Sequence, residues 1–550
     1  MGTADHDTCV HQRPGRGVAL CALGALAACG LAQSGGSWTH LGGESSRESR
    51  GVGLAPDLSS PAWTLTHDQL GRSITFTPSA GVVVSFGVVV ATGTVDIEGV
   101  PAHFVFGVRA FTGELEWQAP IDAPLLDSFS TPAIDEEHQT AIVASGSSLR
   151  AIRLDDGATA WTTMLPRAVV DASPACTFSG GASLGVGDRV FVVDYDPFGV
   201  NGSLHCVNVD AFDASENPHA PGEIVWSAAL GGTSGNSPSV AHVPGVGSRV
   251  IVATSGDFGV GAGRVVCFDA ASESAPTPVW TFENVVPLGF FGGVGVTRDS
   301  SGTWSVLAAS YSFTGGRTSA NLVKLDVLTG ALSWSVGCNR TAGVPVHVEG
   351  GRVVLAGGLD GFGSIPTLQL FDDLGTSAAM VWDSAAATWT DLDGDTRIDE
   401  GECLRVGGWT MVPVLLADRR LLVGVLDHET SSVGASEAML ECDLSRVPGD
   451  PLFVRQTAEA LGNSPGVEGV EGGAWVYTTG ADGLHAFAPI GVPANLTGDG
   501  VVSTDDLHAW DSNILRRDLD GNGTIDADDR VRLLGALRDR ERELLVRGRP

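Results

Sequence analysis

At 550 residues the chain is long enough for one large repetitive core or several ordinary ones. Its 74 glycines and 27 prolines, with few long charged helical patterns, argue against stacked helices and for many short strands joined by turns. With 65 acidic against 32 basic residues, a net charge of −33 and Lys324 as the sole lysine, a nucleic-acid partner is excluded, because phosphate binding needs clustered Lys and Arg.

Near the N-terminus, Arg13 and Arg16 precede the apolar run Gly17 to Ala28. That run is too short for the roughly 20 residues of a membrane span and reads as a signal-peptide core. It ends Leu26-Ala27-Ala28-Cys29-Gly30, which resembles the lipobox of bacterial lipoproteins. The resemblance implies cleavage before Cys29 and its acylation; an ordinary secretory signal cut near Ala32 is the alternative. On this reading 1–28 is a lipoprotein signal peptide and 29–58, polar and rich in Gly and Ser, is a flexible tether. The mature body keeps Cys176, Cys206, Cys267, Cys338, Cys403 and Cys442. In an oxidising compartment these pair as disulfides or stay buried as small hydrophobes. Cys206, Cys267 and Cys442 fall on equivalent strands of different repeats, too far apart to pair with one another.

From about residue 59 to 492 a unit of about 54 residues recurs. Each copy has an apolar run, a second run ending in an acidic or turn residue, a glycine turn and a short run centred on an aromatic. Glycine stands four residues before that aromatic at Gly113 and Trp117, Gly157 and Trp161, Gly222 and Trp226, Gly330 and Trp334, and Gly449 and Phe453. Trp280 and Trp382 fill the aromatic position in two further copies. The runs at 249–255, 263–272 and 278–283 are rich in β-branched and aromatic residues and bounded by turn formers, so they predict strands.

The segments Phe111-Thr112-Gly113-Glu114-Leu115-Glu116-Trp117 and 325–334 resemble the quinoprotein-type (PQQ-like) propeller repeat, also found in BamB-like envelope lipoproteins. The resemblance implies an all-β fold, an eight-bladed β-propeller. The last unit, 474–490, has no aromatic-centred strand after it, whereas Pro61-Ala62-Trp63-Thr64-Leu65-Thr66 stands unmatched before the first. Pairing the two near 484–489 closes the ring with eight blades and leaves no open edge.

Three acidic loops suit a hard cation. At 391–402, inserted in the propeller, Asp391, Asp393, Asp395, Asp399 and Glu402 hold the oxygen-ligand positions of an EF-hand loop, although Thr396 replaces the turn glycine. In the C-terminal 493–550, Asn495, Thr497, Asp499, Ser503 and Asp506 form one candidate set, and Asp518, Asp520, Asn522, Asp526 and Asp529 a stronger one with Gly523 at the sharp turn. Apolar residues at helical spacing follow each of these two loops. The pair resembles a dockerin type I module, which implies a small α-helical domain folded around Ca²⁺ and able to dock on cohesin. Thr504-Asp505 and Ala527-Asp528 replace the Ser-Thr pairs of that contact, which puts a cohesin partner in doubt.

Two functions compete. A non-catalytic, lipid-anchored envelope protein would use the propeller to bind a protein or polysaccharide; a quinoprotein dehydrogenase would hold PQQ and Ca²⁺ in the central funnel. The chain has no adjacent cysteine pair to stack on PQQ and no C-x-x-C-H haem site. Its 13 histidines form no H-x-x-H or H-E-x-x-H pattern for zinc, and no P-loop occurs. The expectation is therefore an exported scaffold with no catalytic residues, Cys29 as its anchor and Ca²⁺ as its cofactor. A carbohydrate-active protein carried by a dockerin is a further alternative.

Overall fold

The computed structural model describes residues 36–77, 80–126, 130–177, 188–257, 261–299, 302–348, 350–359, 364–385, 406–426, 436–445, 454–459, 464–470, 473–480 and 482–489. Cys29, Cys403 and all three acidic loops lie outside them. The described strands form eight antiparallel sheets, the blades of a propeller. Blade 1 runs from the inside outward through Val83–Ser85, Val88–Ile97, Val100–Arg109 and Leu115–Pro120, with Ile74–Phe76 added along the far half of its long second strand. Blades 2 to 7 occupy 133–164, 175–231, 239–283, 295–338, 346–383 and 414–459. No α-helix occurs among the described residues; 493–550, where the helical module is expected, lies outside them.

Blade 8 is built from both ends of the repeat region. Gly466–Val470, Gly473–Gly480 and Gly483–Phe487 supply three strands, and Trp63–Leu65 supplies the outermost. Trp63 pairs with Ala486, Thr64 with His485 and Leu65 with Leu484, which is the closure the unmatched repeat halves predicted.

The core lies between blades, and this explains the two kinds of strand pattern. Middle strands are covered by a neighbour on each face, so Thr140–Ser145 and Arg189–Val193 are buried at every position and read as continuous apolar runs. Outermost strands alternate, as Ile224–Gly231 does, because one side meets water.

Tryptophans lock blades to their neighbours. Trp117 of blade 1 donates from Nε1 to the carbonyl of Leu154 in blade 2 at 2.7 Å, and a Cβ on Gly157 would stand 2.9 Å from its ring. Trp63 repeats the arrangement with Ala110 and Gly113, and Trp280 with Val327 and Gly330. These glycines also hold φ near +70°, which only glycine adopts cheaply.

Cys176, Cys206, Cys267, Cys338 and Cys442 are free and buried, so of the two readings the described cysteines follow that of small hydrophobes.

Candidate functional site

The expected tether does not run free where it is described. From Gly36 to Gly53 the chain makes a circuit inside the ring and meets the innermost strand of every blade. Trp38 and Val84 of blade 1 exchange two backbone hydrogen bonds at 2.8 Å. The Thr39 carbonyl accepts from Ile134 of blade 2, and His40 Nε2 accepts from the Cys176 amide of blade 3 at 3.0 Å. The carbonyls of Ser45 and Ser46 accept from Val240 and Val296 of blades 4 and 5. Arg50 donates to the His347 carbonyl of blade 6 at 3.3 Å, Ser49 and Gly51 bracket Leu415 of blade 7, and the Gly36 carbonyl accepts from Gly469 of blade 8.

This strap caps amides that an inner edge strand otherwise leaves unpaired. Gly42, Gly43, Ser45, Ser46, Arg47 and Ser49 are all buried, so the strap fills the channel rather than coating it. Arg47 is its anchor. The side chain is fully buried and donates to the carbonyls of Leu41, Ser173 and Pro238 at 2.9 Å and of Pro174 at 3.3 Å. Burial pushes its pKa down to about 9, which still leaves it charged at neutral pH. Burial, with repulsion from Arg47, lowers that of His40 to about 3. A neutral ring whose Nε2 accepts from Cys176 carries its proton on Nδ1, facing the Thr39 hydroxyl at 2.8 Å.

At the end of the ring formed by the turns after the innermost strands lies a cavity of about 640 Å³. Its lining includes Arg50 of the strap, Arg298 and Asp299 at the end of blade 5's inner strand, Lys324 of blade 5, His347 and Asp373 of blade 6, and Arg419 of blade 7. The turn Gly350-Gly351 adds backbone without side chains. Lys324 Nζ pairs with Asp373 Oδ2 at 2.6 Å, and Trp334 Nε1 donates to Asp373 Oδ1 at 2.8 Å, a clamp between blades 5 and 6. Burial raises the Asp373 pKa, but bonds from Lys324, Gly375 and Trp334 outweigh it and hold the group below its ordinary value. His347 is pushed below its ordinary value by burial and by Arg50 and Lys324. Arg50 lies 3.9 Å from Glu48, whose own pKa burial raises to about 7.

The same end carries an acidic group at blades 2 and 3. Asp135, Glu137 and Asp210 surround Asp188, and burial followed by their repulsion raises its pKa to about 7. His138 bonds Asp135 at 2.8 Å and Asp210 at 3.0 Å, and the Asp135 bond leads in raising it to about 9. No cluster of His, Cys, Asp and Glu among the described residues is arranged to hold a metal ion.

No family model and no curated protein matches the sequence. Solved structures do. A quinohemoprotein alcohol dehydrogenase from Comamonas testosteroni superposes with a TM-score of 0.50 at 12% identity, over 82% of this chain and 77% of that one. The chain shares the propeller fold of the quinoprotein dehydrogenases. A europium-containing methanol dehydrogenase matches with a TM-score of 0.49 at 10% identity, covering 80% and 89%. Sqt1 of Saccharomyces cerevisiae matches with a TM-score of 0.49 at 10% identity, covering 78% and 99%. At such identities the similarity carries the fold and none of the chemistry.

The strap occupies the axis of this ring. Arg47 is saturated by carbonyl oxygens, Ser49 donates to the Pro413 carbonyl, and buried backbone takes up the space between the inner strands. No sequence pattern marks the strap, because its burial rests on backbone bonds and one arginine rather than on an apolar period. The basic cavity was equally hidden, since its lining comes from positions 50 to 419.

Proposed function

We propose that the protein is a non-catalytic propeller scaffold of the cell envelope, held by a lipid on Cys29 and binding an envelope protein or polysaccharide. The supporting observation is the strap: residues 36–53 bind all eight inner strands and turn the axial funnel, where a catalytic propeller would hold its cofactor, into packed interior. A ring closed by two chain ends and filled at its axis is a rigid platform, and rigid platforms lower the entropic cost of binding. Ca²⁺ on the Asp518 to Asp529 loop, and on the loops beginning at Asn495 and Asp391, would fold the appended segments by the usual coupling of metal binding to folding. With only six residues between Cys29 and Gly36, where the strap begins, the lipid would hold the ring close to the membrane surface.

One set of measurements tests the reading. The full chain and its Cys29→Ser variant are fractionated, used to capture solubilised envelope proteins and purified envelope polysaccharide with calcium or chelator, and assayed for dye-linked alcohol oxidation with added PQQ and Ca²⁺. Expected are membrane association that needs Cys29, calcium-sensitive capture, and no turnover. PQQ-dependent turnover, or membrane association indifferent to Cys29→Ser, overturns the reading.

A further inference from the structure

We propose that the 640 Å³ cavity between the strap and blades 5, 6 and 7 is a binding site for a small organic polyanion, a ligand bearing two or more carboxylate or phosphate groups. The inference goes beyond the scaffold reading and does not depend on it.

Charge is the first argument. The chain carries 65 acidic and 32 basic residues, yet the cavity lining reverses that balance, with Arg50, Arg298, Lys324 and Arg419 against Asp299 and Asp373. Lys324 is neutralised by Asp373. Glu48, near Arg50 and Arg298, has its pKa raised to about 7 by burial, so it offsets only part of their charge at neutral pH. Among the described residues, no ion pair or side-chain hydrogen bond holds the guanidinium groups of Arg298 and Arg419. Cations gathered with so little counter-charge repel, and an anion relieves that repulsion while gaining paired hydrogen bonds from planar guanidinium groups.

Size and shape give the second argument. The volume lies within the range of about 300–1,000 Å³ usual for small-molecule sites and exceeds what a lone inorganic ion fills. Gly350 and Gly351 hold φ of +90° and +78°, and a Cβ on Gly350 would meet nothing nearer than Arg419 at 4.0 Å, so the turn leaves the mouth open beside that arginine. No Phe, Tyr or Trp lines the cavity, which favours a ligand recognised by charge over one recognised by stacking.

The cations come from three separate bodies: the strap, blade 5 and blade 7. A polyanion spanning Arg50, Arg298 and Arg419 therefore ties the strap to the ring. Its binding should slow amide exchange at Gly51, which donates to the Leu415 carbonyl, and at Leu415, which donates to the Ser49 carbonyl, where the strap passes blade 7.

The test is calorimetric titration of the full chain with fructose bisphosphate and with tricarballylate, at constant calcium and at an ionic strength fixed with sodium chloride, since exposed charges are screened. We expect saturable one-to-one binding of at least one probe, weakened by at least about tenfold, or 1.4 kcal/mol, in Arg298→Ala and in Arg419→Ala. Both side chains are exposed, so the variants should melt as the parent does without ligand; Arg153→Ala, exposed on blade 2, should bind as the parent does. Slowed exchange at Gly51 and Leu415 with the bound probe supports the link to the strap. Absence of saturable binding by both probes, or equal affinity in the Arg298→Ala, Arg419→Ala double variant, overturns the proposal.

Discussion

Trp117 and Gly157 stand 40 positions apart and act as one unit. The indole of one blade lies on the bare turn of the next and donates to its Leu154 carbonyl, so a side chain at Gly157 meets both an unfavourable φ of +71° and the ring. Gly157→Ala should therefore destabilise the ring by on the order of 2–3 kcal/mol, from strain in the left-handed region and overpacking. Denaturant midpoints measure it; a change below about 0.5 kcal/mol, the usual surface value, would show that the contact is slack. The spacing of Gly and Trp was legible in the sequence, but which tryptophan each glycine serves was not. Within one repeat the two residues look like partners, whereas the glycine serves the tryptophan of the preceding blade, a contact that periodicity inside a repeat cannot reveal.

At the scale of the element, the closing strand and the strap differ in legibility for a physical reason. Trp63–Leu65 could be found because an aromatic-centred strand was missing at one end of the repeats and present at the other. The strap has the Gly and Ser content of a linker, and its order comes from carbonyls that cap inner-strand amides and from Arg47. Replacing Arg47 with Met keeps the volume but leaves four carbonyls facing a thioether. A buried acceptor without a donor costs about 1–3 kcal/mol, and such losses do not add fully, so Arg47→Met should cost at least about 3 kcal/mol. Proteolysis reads the same change locally, with cleavage in 36–53 expected to accelerate before the blades open. Equal cleavage and an unchanged denaturant midpoint would mean that the strap holds without its arginine.

Over the whole molecule, the buried titratable groups set a direction for stability with pH. Burial raises Glu48, Asp188 and Glu468 to about 7, with repulsion from neighbouring carboxylates adding at Asp188 and Glu48. A carboxyl whose folded pKa lies above its unfolded one binds more protons when folded between the two values, so it adds stability as pH falls from 8 toward 6. His138, raised to about 9 chiefly by its Asp135 bond, acts the same way: its contribution is complete below its ordinary value of 6.5 and is lost as pH rises through 9. His40, lowered to about 3, and His347, also lowered, act in the other direction, but their loss begins only as pH falls through 6.5. Between pH 8 and pH 6 four groups gain against two that have barely begun to lose, and the net charge of −33 eases over the same interval. The ring should therefore melt at a higher temperature at pH 6 than at pH 8, and Glu48→Gln combined with Glu468→Gln should narrow the difference by raising the pH 8 value. Calorimetric scans at both pH values check this, and a parent that melts higher at pH 8 would show that the histidines outweigh the buried carboxyls.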